Sequence, residues 1–188
     1  MDFSELLKLR RSVRDFEDRA VPQEMVEKLI NASLQAPSAS NMQSWRFSVV
    51  HNRETIRRIS DESKACLLSY LEKQPDGPVK NYAPILKNQD FNVFYNAPCL
   101  VIISGARKAA MHRVDCSLCA AYFMMAAANE GLGTCWVDLG AYIESPDLRA
   151  ELGLADDIRV VAPIILGYPK SIPGAPPRQP AQILAVVK

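Results

Sequence analysis

Residues 115–133 read DCSLCAAYFMMAAANEGLG, a stretch with small or apolar residues almost all round a helix. Gly131 and Gly133 close it, since glycine is favoured just beyond the C-terminus of a helix. A helix without a polar face must be covered on several sides. The stretch therefore predicts a helix that is central to the fold and that needs a partner surface as well as its own core.

The rest of the chain has the composition of a globular protein. Its 188 residues, 48% apolar and 23% charged, predict one domain over residues 1–188. A formal net charge of +1 gives no basic excess for nucleic acid or an acidic membrane. No apolar run is long enough for a transmembrane helix or a signal peptide. The five cysteines, an odd number, predict reduced thiols in a cytoplasmic protein.

Apolar periodicity and helix breakers predict about four strands and five helices. Helices are expected over 2–10, 22–36, 53–72, 115–130 and 145–154, and strands over 46–52, 97–105, 134–140 and 158–169. The last strand lacks alternation and is therefore expected at the centre of its sheet. Three prolines and a glycine within 74–91 predict an irregular segment or lid, and the proline-rich tail from about Lys170 is expected to be extended.

The stretch LRRSVRDF, residues 9–16, places three arginines around one serine. The helix before it puts Arg10 on the same face as Phe3, Leu6 and Leu7, so that face is expected to be buried.

An extended chain after Arg11 points Ser12, Arg14 and Phe16 the same way. Arg10, Ser12 and Arg14 then converge on a point that suits a phosphate dianion. The alternative is a set of exposed arginines paired with Asp15, Glu17 and Asp18.

The stretch APSASNMQSWRF, residues 36–47, follows the second predicted helix. Its small residues allow backbone amides to approach a flat ligand, and Asn41 offers both a donor and an acceptor to a heterocycle edge. The alternative is a plain helix-to-strand connector, which also favours proline, serine and asparagine.

His112, Cys116 and Cys119 share one helix face, where three soft ligands raise the possibility of zinc. No fourth ligand is evident, and close helix packing or redox-active thiols are the alternatives. We expect packing and no metal.

Five pieces in order resemble the FMN-dependent nitroreductase family in its short form. They are RRSVRDF at 10–16, APSASNMQSWRF at 36–47, GLGTCWVDLG at 131–140, ILGYP at 165–169 and the late arginine in PPRQP at 176–180. The resemblance implies an α+β fold with a central mixed sheet flanked by helices. It also implies an intertwined homodimer with two FMN molecules at the subunit interface.

The resemblance assigns cofactor-binding residues by position. In such proteins the first motif holds the FMN phosphate and the pyrimidine side of the ring, the second comes from the other subunit, and the third lies behind the ring. A C-terminal arginine completes the phosphate site. The matching residues are Arg10, Arg11, Ser12 and Arg14; Pro37, Ser38, Ala39 and Asn41; Asp138, Leu139 and Gly140; and Arg178.

Three positions depart from the family pattern. Ser44 stands where proline is usual, Pro176 stands where many members carry a basic residue, and Leu139 stands where glycine is common. The implied activity is the passage of electrons from NADPH or NADH, through FMN, to a small electron-poor acceptor such as a nitroaromatic or a quinone, with ping-pong kinetics.

No protein residue is expected to act as a catalytic acid, since the flavin carries the chemistry. The alternatives are a flavin-binding protein that stores or consumes flavin or is reduced by a protein partner, and a flavin-free anion-binding protein.

Overall fold

The computed structural model describes residues 2–188. Its α-helices are α1 (Phe3–Leu9), α2 (Gln23–Ser33), α3 (Arg53–Lys73), α4 (Ala83–Leu86), α5 (His112–Asn129) and α6 (Pro146–Glu151). Its strands are β1 (Trp45–Val50), β2 (Cys99–Ala106), β3 (Gly133–Trp136) and β4 (Ile158–Gly167). Short 3-10 helices span Ala39–Asn41, Lys80–Tyr82 and Asp138–Gly140. The helix and strand order expected from the sequence is confirmed, with α4 as an additional short helix.

The four strands form one sheet in the order β1-β2-β4-β3. The family resemblance implies a mixed sheet, but all three ladders between the strands are antiparallel. Within residues 2–188 the parallel pairing is a single bridge between Ser12 and Thr134. β2 and β4 lie at the centre and are almost wholly buried, as the unbroken apolar run of β4 predicts.

Alternation along β2 separates two cores on the two faces of the sheet. Leu100 and Ile102 pack into the core that contains residues of α3, whereas Val101 and Ile103 pack into the core formed with α2 and α5. The result is three layers, with α3 on one face and the α2–α5 pair on the other.

The sequence predicts that the apolar face of the first helix is buried, but the structure leaves this face exposed. No residue of α1 is buried, and Phe3 and Leu7 are 70% and 49% exposed. One stripe of α5 is also uncovered, because Met111 before it and Val114, Leu118 and Tyr122 within it lie three or four residues apart and are exposed. Both apolar surfaces lie open in the single chain.

No helix within residues 2–188 is both long and apolar enough to cross a membrane. The tail beyond Lys170 contains no helix or strand, consistent with the extended tail that the sequence predicts.

Candidate functional site

The arginine segment is held along the free edge of β3. The Val13 amide donates to the Thr134 carbonyl oxygen at 2.9 Å, and Ser12 forms its bridge with the same residue. A Cβ on Gly133 would lie 2.8 Å from the Val13 Cβ, so only glycine allows this close approach. Val13 is buried against the sheet, which leaves Ser12 and Arg14 exposed on the outer side.

The expectation that Phe16 points the same way as Ser12 and Arg14 is wrong. Phe16 is buried and pairs with Pro169 instead. The alternation breaks after Arg14 because the chain turns inward to anchor Phe16 in the core that also contains Val13.

Arg10, Ser12 and Arg14 lie on the segment that runs beside Thr134 and Cys135 at the β3 edge. Burial raises the pKa of Cys135, and the charges of Arg14 and Arg10, together with a hydrogen bond from Ser12, oppose that increase. These residues lie at one edge of the sheet, and their role at a phosphate site stays a prediction.

The alternative pairing of these arginines with nearby carboxylates is wrong. Asp15 pairs with Lys170 at 3.2 Å, and Asp18 pairs with Arg53. Within residues 2–188, no salt bridge engages Arg10, Arg11 or Arg14.

The contacts that these arginines do form leave their charge uncompensated. One terminal nitrogen of Arg11 donates to the Arg10 carbonyl at 2.7 Å, while its Nε is buried without a partner. Arg14 lies over the Tyr95 ring, 5.6 Å from its centroid. A buried N–H group without a partner is costly, and the exposed guanidinium of Arg14, which forms no salt bridge within residues 2–188, is free to meet an anion such as a phosphate.

The second predicted segment forms a compact loop above the start of β1. The Ser38 hydroxyl accepts from the Gln43 amide at 3.0 Å, and Asn41 Oδ1 accepts from Gln43 Nε2 at 3.0 Å. Ser40, Asn41 and Gln43 have positive φ angles of 48°, 54° and 45°. Strained backbone of this kind persists where the surroundings hold it, and it is concentrated at functional sites.

Asp115, a residue that sequence reasoning missed, holds this loop to α5. Its two carboxylate oxygens accept from the Ala39 amide at 3.0 Å and from the Ser44 hydroxyl at 3.1 Å. Asp115 is only 2% exposed. Ser44, which departs from the family pattern, thus gives the loop a hydrogen bond where proline would give stiffness. The available signal was an aspartate within an otherwise apolar helix.

The third segment, Asp138–Gly140, forms a turn directly after β3. The Val137 amide donates to the Pro163 carbonyl at 2.9 Å, and the Gly140 amide closes the turn onto Val137. A Cβ on Gly140 would overlap the Phe94 ring, so this position requires glycine. Leu139 packs against the core, while Asp138 is exposed.

The sheet order separates these segments within one chain. The arginine segment and the turn at 138–140 lie at the β3 edge, whereas the loop at 37–41 leads into β1 at the other edge. Three strand spacings amount to about 14 Å. Pro37, Ser38, Ala39 and Asn41 are therefore not gathered around the same point as Arg10, Ser12 and Arg14.

Arg178 lies in the exposed tail. Within residues 2–188 no hydrogen bond or salt bridge joins it to the N-terminal arginines. Its role at a phosphate site stays a prediction.

The thiols on α5 serve packing. Cys119 Sγ lies 3.4 Å from Ser33 Oγ, between α5 and α2. Burial raises the pKa of Cys116 to about 12, so its thiol stays protonated at neutral pH and is a poor nucleophile. In the part of the chain that the structure describes, no three His, Cys, Asp or Glu side chains are grouped to hold a metal ion.

Comparison with known proteins decides the family. The family model described as "Nitroreductase family" matches residues 7–168. The chain belongs to the nitroreductase family.

Two curated relatives and one solved structure show which proteins the chain is similar to. A protein of Methanothermobacter thermautotrophicus named "Putative NADH dehydrogenase/NAD(P)H nitroreductase" is 31% identical over 93% of this chain and 81% of its own. Iodotyrosine deiodinase 1 of Sus scrofa is 27% identical over 99% of this chain and 68% of its own.

The structure of a nitroreductase with bound FMN from Desulfitobacterium hafniense has a TM-score of 0.78 at 24% identity, covering 97% of both chains. This confirms the nitroreductase-like α+β fold. Family membership supports a general oxidoreductase role, and several structural neighbours bind FMN.

Proposed function

We propose that this chain binds FMN, with the phosphate on Arg10, Arg11, Ser12 and Arg14. The observation that carries the proposal is that the arginine segment is pinned to the β3 edge, with Ser12 and Arg14 exposed and, within residues 2–188, no carboxylate paired with its arginines. Planar guanidinium groups bind phosphate oxygens in pairs, and the Ser12 hydroxyl adds a further donor. Arg178 would join them from the tail.

We infer that the turn at Asp138–Gly140 lies behind the flavin ring, where its backbone amides can donate to the ring edge. The Phe94 ring under Gly140 and the core packing of Leu139 hold this turn in place. Such fixed donors shift the reduction potential of a bound cofactor.

The second segment would reach the same flavin from another copy of the chain. Pro37, Ser38, Ala39 and Asn41 lie on a loop at the opposite edge of the sheet from the arginine segment. The open apolar stripe of α5 and the exposed α1 supply surfaces for such a homodimer.

The activity that we propose is that of an FMN-dependent NAD(P)H oxidoreductase, which passes electrons to a small electron-poor acceptor. Bound FMN supplies two-electron chemistry between the nicotinamide donor and the acceptor. Since both molecules would use the open face of one site in turn, we expect ping-pong kinetics. The chain's own residues bind the cofactor, orient its ring and limit access to it.

The test is anaerobic mixing of FMN-loaded protein with NADPH or NADH. Rapid bleaching of the flavin's visible absorbance, reversed by nitrobenzene or a quinone, is the expected result. The curated deiodinase relative makes 3-iodotyrosine a useful third acceptor. Bleaching with dithionite alone would instead favour a protein that stores flavin or depends on a partner for reduction. Protein that takes up no FMN would reject the proposal.

A further inference from the structure

An arginine-lined cavity of about 440 Å³ opens beside the turn at Asp138. It lies at the end of the sheet where β2 and β3 finish and β4 begins. Arg107 follows β2, Arg113 lies in the first turn of α5, and Arg159 lies near the start of β4. Arg149, Asp138, Glu144, Trp136 and Tyr142 also line it.

The cavity has an excess of positive charge. Its four arginines exceed its two carboxylates, Asp138 and Glu144, by two charges. Arg149 is committed to structure, since it donates to the carbonyl oxygens of Ile143, Ala155 and Ile158 at 2.7–3.1 Å.

The other three arginines have no such commitment. Arg107, Arg113 and Arg159 are exposed and form no salt bridge within residues 2–188. They are therefore available to an incoming anion.

An indole and a phenol complete the cavity wall. The Trp136 Nε1 atom is buried without a hydrogen-bond partner, although such an indole N–H usually finds one. Burial raises the pKa of Tyr142, Asp138 adds to that increase, and Arg159 and Arg113 oppose it. Asp138, Arg113 and Arg159 line the same cavity as Tyr142.

We propose that this cavity binds the carboxylate of a small aromatic acid that serves as the electron acceptor. Guanidinium groups match a carboxylate bidentately, and the Trp136 and Tyr142 rings supply aromatic surface for the ring of the acid. The volume lies within the range of small-molecule sites. Asp138 belongs both to the turn that we propose lies next to the flavin and to the cavity wall, so the cavity adjoins the proposed flavin site, and an acid anchored at its arginines would extend from the cavity toward the open face. The inference rests on the proposed function and adds the acceptor class.

The test compares 4-nitrobenzoate with uncharged nitrobenzene on the FMN-loaded protein. Arg113→Gln or Arg159→Gln should raise the KM for 4-nitrobenzoate by about tenfold, the effect of losing one charge-assisted hydrogen bond. The KM for nitrobenzene should stay within about twofold of wild type. Glu144→Gln should act in the opposite direction and lower the KM for the acid, because it removes a like charge.

Lys108→Gln is the matched control. Lys108 adjoins Arg107, is exposed and does not line the cavity. Lys108→Gln removes one positive charge, as the arginine substitutions do. Because Lys108 does not line the cavity, this variant should leave the KM for both acceptors unchanged. An equal effect of Lys108→Gln would assign the change to long-range charge and overturn the proposal.

Equilibrium binding separates this inference from the proposed function. Benzoate should perturb the spectrum of the oxidised FMN-loaded protein, and its Kd should rise by about tenfold in Arg113→Gln whether or not NAD(P)H reduces the flavin. Three results would overturn the proposal: no benzoate binding, a loss of FMN affinity in the arginine variants, or an increased KM for NADPH with none for the acid.

Discussion

At the scale of single residues, Arg10, Ser12 and Arg14 form the proposed phosphate site. The segment that carries them is fixed to β3 through Thr134, and within residues 2–188 no salt bridge neutralises these arginines. Two guanidinium groups and a hydroxyl can donate hydrogen bonds to the oxygens of one phosphate.

Arg10→Ala is expected to raise the Kd for FMN by about tenfold to a hundredfold, as charged hydrogen bonds contribute about 1.5–3 kcal/mol. Binding of riboflavin, which lacks the phosphate, should change little. Fluorescence titration of both flavins measures this difference. Arg53→Ala is the control, because Arg53 pairs with Asp18 at the surface. Equal losses for FMN and riboflavin would contradict a phosphate contact.

At the scale of elements, α5 organises the site as well as the core. Its first turn holds the loop at 38–44 through Asp115, and its body packs on β2 and β4. Because the carboxylate is buried, each of its hydrogen bonds is screened from water and costly to lose.

Asp115→Ala should leave the Ala39 amide and the Ser44 hydroxyl without an acceptor. We expect the free energy of unfolding to fall by about 1–3 kcal/mol and the Kd for FMN to rise with it. Chemical denaturation measures the free energy of unfolding, and hydrogen exchange at the Ala39 amide measures how well the loop is protected. Asp115→Asn is the control, since an amide can accept from Ala39 and donate to Ser44. A loss in the asparagine variant as large as that in the alanine variant would show that charge, not the two contacts, matters.

Sequence reasoning predicted the order of the helices and strands well, because apolar periodicity and turn residues are local signals. It correctly placed β4 at the sheet centre from its unbroken apolar run. It failed where tertiary contacts decide the outcome. Phe16 turns inward to meet Pro169, and the Asp115 tether spans 76 positions to Ala39.

The prediction that the apolar face of α1 is buried was wrong for the single chain, in which Phe3 and Leu7 are exposed. Local sequence shows that a face is apolar but not which surface covers it. The cavity arginines were missed for a related reason: Arg107, Arg113 and Arg159 come from three separate elements.

At the scale of the whole molecule, the proposed homodimer would account for both the open apolar surfaces and the separation of the predicted site segments within one chain. The α5 stripe, the α1 face and the tail residues Ile183, Leu184, Val186 and Val187 are exposed in the single chain. Contiguous apolar surfaces of this kind mark interaction sites. A second copy would cover them and bring its loop at 37–41 to the first copy's arginine segment.

A crystal structure of the FMN-loaded protein tests this central claim most directly. We predict two copies with two flavins between them. Each phosphate should contact Arg10, Ser12 and Arg14 of one chain, while Ser38 and Asn41 of the other chain border the ring. A flavin bound wholly by one chain, or a phosphate held away from the arginine segment, would contradict the account.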